Sequence, residues 1–336
     1  FQALCYNTTL ISILQGVFEK KLFFSHYFFL PAQNKRKKGV FMRNIRTDLA
    51  VEAHEARYGD ALCDGVTKNF SNVCGFEVTE LNISEKAAAE LGKPKGTYLS
   101  AEFGRLWQDS DEAAERAARL ICALISRLAP SGDGCVLVAG LGNERITPDA
   151  VGPKSVKMLT VTRHVKRLDP GLYSRLGFGE CAAIIPGVLG DTGIESADII
   201  RGAAEAVRPR CIIAIDALSS RRMARMATTV QVSAAGIAPG SGVNNRRAAI
   251  SQETMGCPVI SVGFPTVVDA VTLTLDMLEE AGIEEEKLDA AAELLSESGR
   301  RSLFVAPKDC DMITECLANV ASKAVNIFVH GVQGAL

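Results

Sequence analysis

Cys135-Val136-Leu137-Val138-Ala139-Gly140-Leu141-Gly142-Asn143, followed by Thr147-Pro148-Asp149, and Cys211-Ile212-Ile213-Ala214-Ile215-Asp216-Ala217-Leu218 are the stretches that decide the fold. Each is a short unbroken apolar run rich in β-branched residues, bounded by turn-forming residues, and reads as a buried strand. Each delivers an aspartate just past its end. In an open parallel sheet the carboxyl ends of neighbouring strands converge on one crevice, where ligands bind. Two carboxylates brought together there share a proton, because like charges at close range raise one of the two pKa values.

Outward from these runs, strand and helix patterns alternate. Asp109-Ser110-Asp111 caps a helix to about Leu128, with apolar positions at Ala114, Ala118, Ile121, Ala123 and Ile125. Strands are expected at 182–186, 228–232 and 258–263, and helices at 194–207, 267–281, 284–298 and 311–329. This alternation predicts an α/β fold: three layers, with helices on a mostly parallel sheet. Residues 42–110 show only weak alternating patterns, as in Phe76-Glu77-Val78-Thr79-Glu80-Leu81.

The chain has 336 residues, 47% of them hydrophobic, which excludes an extended disordered protein. Its 37 basic and 39 acidic residues leave a net charge of −2, without the basic footprint of a direct nucleic-acid partner. Ten cysteines contain no Cys-x-x-Cys and no Cys/His cluster of zinc spacing, so buried thiols in a reducing compartment are expected. Two apolar runs within residues 10–31 are each too short to span a bilayer, which takes ~20 apolar residues. The basic cluster Lys35-Arg36-Lys37-Lys38 follows them instead of preceding them, unlike a signal peptide. Residues 1–41 therefore read as a non-native or disordered extension, with a start at Met42. A membrane-surface anchor is the rival reading of those residues.

Other chemistries find little purchase. Gly140-x-Gly142 lacks the third glycine of a dinucleotide fingerprint, and no phosphate-binding Gly-x4-Gly-Lys-Ser/Thr occurs. Ser241 lacks the Gly-x-Ser-x-Gly elbow, and the four histidines fall in no triad or His-Glu-x-x-His. Pro148 suits the first turn of a helix capped by Thr147 and carrying Asp149. Carboxylates remain: Asp149 and Asp216 as a general acid/base pair, with no metal and no cofactor expected. The glycine-bearing loops at 185–195 and 237–247 read as the groove for an extended peptide, with Asn143, Gly187, Thr192, Glu195, Gly240 and Ser241 as its candidate residues.

Several segments carry a resemblance. Thr47-Asp48-Leu49-Ala50-Val51-Glu52, Val138-Ala139-Gly140-Leu141-Gly142-Asn143, Thr147-Pro148-Asp149-Ala150-Val151-Gly152-Pro153, Thr160-Val161-Thr162-Arg163-His164, Ala214-Ile215-Asp216-Ala217-Leu218 and Pro239-Gly240-Ser241-Gly242-Val243 resemble the germination protease of spore-forming bacteria. The likeness runs in register from about residue 45 to about 330. It implies a fold like that of hydrogenase maturation proteases, and a homotetrameric endopeptidase made as a zymogen. That enzyme degrades small acid-soluble spore proteins in the spore core, a cytoplasmic compartment, without nucleic-acid or membrane partners. It also implies that Asp149 and Asp216 are the catalytic acids and that the chain cuts itself between Asp48 and Leu49. Residues 42–48 would then be a short pro-segment and residues 49–336 a single peptidase domain. A metal- or peptide-binding maturation factor on the same scaffold is the alternative. Two departures from the resemblance are a shortened stretch between Ala281 and Ser302 and Asn244 where a glycine is usual.

Overall fold

A computed structural model describes residues 46–61, 63–238, 248–297 and 303–331. Among these, nine strands form one sheet: β1 (Val66–Val73), β2 (Phe76–Ile83), β3 (Gly96–Glu102), β4 (Val136–Gly140), β5 (Cys181–Ile184), β6 (Cys211–Ser220), β7 (Thr229–Ser233), β8 (Val259–Asp269) and β9 (Phe304–Val305). Their order is β1-β2-β3-β7-β8-β6-β4-β5, with β9 on β8. Only the β8-β6-β4-β5 half is parallel, whereas β1, β2, β3, β7 and β9 pair antiparallel. The expectation of a mostly parallel sheet is thereby corrected to a mixed one. The reason lies in the opening segment: Cys74-Gly75 closes β1 onto β2 as a hairpin, with both residues at positive φ. The strands on either side are half-exposed and polar, so their period is faint in the sequence.

One face of the sheet is covered by the helices Asp111–Leu128 and Cys310–His330, which pack on Val136, Val138, Ile213, Ile215, Val230 and Val262. Ser110 caps the first helix by accepting from the Ala113 N–H, and Asp111 and Glu112 complement its dipole. Its buried stripe runs through Ala117, Leu120, Ile121 and Leu124, rotated slightly from the expected one. The helix Cys310–His330 is, among the described residues, the one segment long and apolar enough to cross a membrane. Its apolar side, from Ile313 to Val325, is core of the domain.

The opposite face is covered in two patches. Helix Ser196–Val207 and Met255 pack over Leu137, Ala139, Ile212 and Ala214. Leu49–Val51 and helix Glu85–Leu91 pack over Leu81, Tyr98 and Leu218. Between the patches, the central strands β6, β8 and β7 stay open. Cys135, Cys181 and Cys211 are buried free thiols acting as small hydrophobes; burial pushes Cys135 and Cys211 up to about 11 and Cys181 up to about 12.

Candidate active site

The opening between the two patches lies at the end of β4 and β6, where the chain leaves β4 for β5 on one side and reaches β6 on the other. This is the switch point at which α/β sheets bind ligands. Asp216 lies inside β6, not beyond it, since the strand runs on to Ser220. Across the sheet it pairs with Gly263 of β8, and Gly263 pairs with Gln231 of β7. Residues paired in register project to the same face, so the aspartate and the glutamine face the opening with a glycine between them. Asp216 is 6% exposed, and its Oδ1 accepts the Ala217 N–H at 2.9 Å.

Asp149 is delivered by the loop after β4. Gly142 turns there with φ +111°, and a Cβ on it would collide with the main-chain oxygen of Asp149. That close approach lets the Asn143 N–H donate to Asp149 Oδ2 at 2.7 Å. Two hydroxyls anchor the residues before it: Thr266 donates to the Pro148 carbonyl at 2.6 Å, and Thr314 to the Thr147 carbonyl at 3.1 Å. Thr147–Asp149 forms a 3-10 turn and the α-helix begins at Val151, so Thr147 provides no side-chain cap and Asp149 precedes the helix. Gly152 lets that helix rest directly on the main chain of Leu141 and Ile215. The carboxylate is fixed by a turn bound to a strand and a helix, which suits a group needed in one place.

Both aspartates line one cavity of about 700 Å³, walled by apolar side chains including Leu141, Ile146, Val188 and Phe304. Asp48 lines the same cavity. The segment leading into it is held at every residue. Arg46 N–H donates to Thr272 Oγ1 at 3.0 Å, and Lys93 Nζ donates to the Thr47 carbonyl at 2.8 Å. Asp48 N–H donates to the Ser219 carbonyl and Ser219 N–H to Asp48 Oδ2, both at 2.8 Å. Burial pulls the Lys93 ammonium below its usual pKa, against the opposing pull of Asp48 and Glu52. From Leu49 the chain turns into the core: Leu49 and Ala50 are fully buried, and the helix Ala50–Tyr58 follows.

Glu52 of that helix is 1% exposed. It accepts from Thr47 Oγ1 at 2.5 Å, Arg221 N–H at 2.5 Å and Arg222 N–H at 3.1 Å, and Arg225 lies 3.7 Å away. Burial still raises its pKa above the usual carboxylate value, opposed by those four contacts.

The other expected groove residues occupy supporting positions. Asn143 Oδ1 accepts the Arg145 N–H, and Gly187, at φ +71°, presents its carbonyl to Ser196 Oγ at 2.8 Å. Thr192 Oγ1 ties Val188 to Ile194, and the Glu195 carbonyl starts helix Ser196–Val207. Val188 and Ser196 line the cavity; Asn143, Gly187, Thr192 and Glu195 are not among its lining residues. Gly240 and Ser241 lie outside the described residues, as do residues 1–45. Among the described residues no three His, Cys, Asp or Glu side chains are grouped to hold a metal ion.

Among the cavity residues that the sequence did not point to are Lys93, Ser219 and Gln231. Gln231 carried a signal, as a polar residue between Val230 and Val232 in a central strand; Ser219 contributes only main chain, which has no sequence signature.

Comparison with known proteins gives the family of the chain. The family model for germination protease matches residues 45–281. The germination protease of Caldanaerobacter subterraneus subsp. tengcongensis is 40% identical over 314 residues, covering 86% of this chain and 95% of its own length. That of Clostridium acetobutylicum is 37% identical, covering 85% and 95%, and that of a Geobacillus strain is 34% identical, covering 88% and 96%. With the family model spanning most of the chain and these relatives matched nearly end to end, the chain belongs to the germination protease family of peptidases.

Proposed function

We propose that this chain is an endopeptidase that opens the degradation of small acid-soluble spore proteins at germination, with Asp149 and Asp216 as its catalytic pair. The observation that carries the reading is the cavity itself. It is lined by both aspartates and by Asp48 of the chain's own segment, which polar contacts from Lys93 and Ser219 hold there. The family names support the substrate setting.

In the proposed reaction one carboxyl of the pair is protonated and directed at the scissile carbonyl, while the other, ionised, takes a proton from water. The water oxygen adds to the carbonyl carbon, and the carbonyl oxygen takes up the developing charge. Collapse breaks the C–N bond as the amide nitrogen receives a proton. The pair titrates as a unit, so acid and base are properties of the couple and not of one residue.

The same reading places a self-cleavage between Asp48 and Leu49. The bond stands at a change of environment: residues 46–48 are held by polar contacts, with Asp48 at the cavity, and Leu49 onward is core. A cut there would free the polar segment while leaving the domain intact. The same reading includes a homotetramer and a location in the spore core.

The test replaces each aspartate by asparagine. Each variant should retain the parent's far-UV spectrum and melting behaviour. Each should lose at least about 10³-fold in cleavage of a peptide containing Thr-Glu-apolar-Ala-Ser-Glu, the loss typical of a missing acid/base or nucleophile-activating group. Parent-like turnover in either variant would remove the mechanism.

A further inference from the structure

The Asp48–Leu49 peptide bond is bracketed by one side chain. Gln231 Nε2 donates to the carbonyl oxygen of Asp48 at 3.3 Å, and Gln231 Oε1 accepts the N–H of Ala50 at 2.7 Å. Because an N–H has only a donor to offer, the Ala50 contact fixes Oε1 as the acceptor and turns Nε2 toward Asp48. The amide thus acts as a short piece of neighbouring strand, holding residues 48 to 50 from both sides. Gln231 is 6% exposed, and its strand is central, flanked by β3 and β8. It also stands in register with Asp216, across Gly263, so the donor and a carboxylate face the same cavity.

We infer that Gln231 is a positioning residue for cleavage at Asp48–Leu49, binding with its Nε2–H the carbonyl oxygen on which charge develops. This rests on the reading of that bond as the self-cleavage point. Hydrogen-bond donors fixed in place before the reaction stabilise a forming oxyanion without reorganising, and losing one costs about 10² to 10³ in rate. A ground-state separation of 3.3 Å is long, and such contacts tighten as the carbonyl carbon becomes tetrahedral. The atoms balance without the glutamine being consumed. Water adds to the Asp48 carbonyl carbon and gives a proton to the carboxylate pair; the bond to the Leu49 nitrogen breaks, and that nitrogen receives a proton from the pair. Asp48 ends as a carboxylate and Leu49 as an amine. The Oε1 contact to Ala50 survives the cut and keeps the new amino terminus at the site.

The experiment follows self-processing of the full chain by intact mass across pH 4 to 7.5, with Gln231→Glu and Gln231→Leu beside the parent. Gln231→Glu keeps an acceptor for Ala50 but has a donor only when its carboxyl is protonated. Its rate should fall about 10- to 100-fold near neutrality, and that deficit should shrink as pH falls. Gln231→Leu should be slowed at least as much, with a deficit independent of pH. Melting curves and cleavage of an added peptide are read on the same samples. A parent that loses its segment after Asp48, alongside variants that cut within threefold of its rate, overturns the role of Gln231 alone. An equal loss in both variants at every pH, tracking a lowered melting temperature, also overturns it. A parent that is never cut after Asp48 overturns the self-cleavage reading and this inference together.

Discussion

Asp216 and Gln231 stand in one row of the sheet, two strands apart, with Gly263 on the strand between them. At the usual strand spacing this sets their Cα atoms about 10 Å apart, wide enough for a peptide backbone to lie between a carboxylate and an amide. The middle position has no side chain of its own, and the Leu218 side chain lies over it.

Gly263 is therefore a test of the row. A Cβ there would run into the Leu218 side chain, which is itself in the core. Gly263→Ala should lower stability by about 1–3 kcal/mol through overpacking. It should also weaken peptide binding more than turnover, visible as a raised KM with kcat less affected.

Gly142 is more demanding. Its φ of +111° is unfavourable for any side chain, and a Cβ would strike main chain, which yields less readily than a side chain. Gly142→Ala should displace Asp149. Peptide cleavage should fall by at least about 10²-fold, since small misplacement at a reacting centre is costly. Thermal unfolding checks that the fold persists.

The Thr266 hydroxyl tests the anchoring of the same loop from β8. Thr266→Val conserves shape and removes the bond to the Pro148 carbonyl. Stability should drop by about 1–3 kcal/mol, the cost of leaving a carbonyl unsatisfied. A fall in kcat larger than the change in KM would report the loosened position of Asp149.

Glu52 predicts a pH dependence. Its pKa is raised in the folded chain, chiefly by burial, so the folded state holds its proton more tightly than the unfolded state. Stability from this group is then fully present below the unfolded value near 4.5 and lost as pH rises through the higher folded value. Glu52→Gln should remove that slope. Melting temperatures of parent and variant, compared from pH 4 to 7, should diverge in favour of the variant toward neutrality. A constant difference would show that the contacts to Arg221, Arg222 and Arg225 govern instead.

Arg225 tests the network beneath Glu52. It makes a two-point ion pair with Glu55 at 2.7 and 2.9 Å and reaches Glu102 at 3.0 Å. Arg225→Ala leaves the half-buried Glu55 without its ion-pair partner and takes one of four contacts from Glu52. A loss of about 1–3 kcal/mol is expected, the cost of leaving a partly buried charged group without its partner, measured by denaturant unfolding.

The parallel half of this protein was legible because its central strands are buried on both faces. Val136–Gly140 and Cys211–Ile215 are unbroken apolar runs, a pattern that tertiary context rarely overrides. The helix Asp111–Leu128 was equally plain, having a serine cap, acidic first turn and long amphipathic stripe. The antiparallel half was faint, since β1 and β2 expose much of both faces and their order comes from pairing with distant strands. The helix Ala50–Tyr58 was missed for a related reason. Its stripe is weak, with Glu52 and His54 buried beside Ala50 and Val51.

By itself the sequence determined which residues could do chemistry: two aspartates, each tied to an apolar strand, in a chain poor in other reactive patterns. Local periodicity and composition suffice for that, because they act within a few residues. Only the tertiary structure decided that these aspartates share one cavity, that Asp48 enters it, and that Lys93, Ser219 and Gln231 hold the entering segment. Those relations join residues more than 40 positions apart, up to 183 between Gln231 and Asp48, and arise from sheet register and the gap between two packed patches. Such order is set by how strands pair across the whole sheet, which no short stretch encodes.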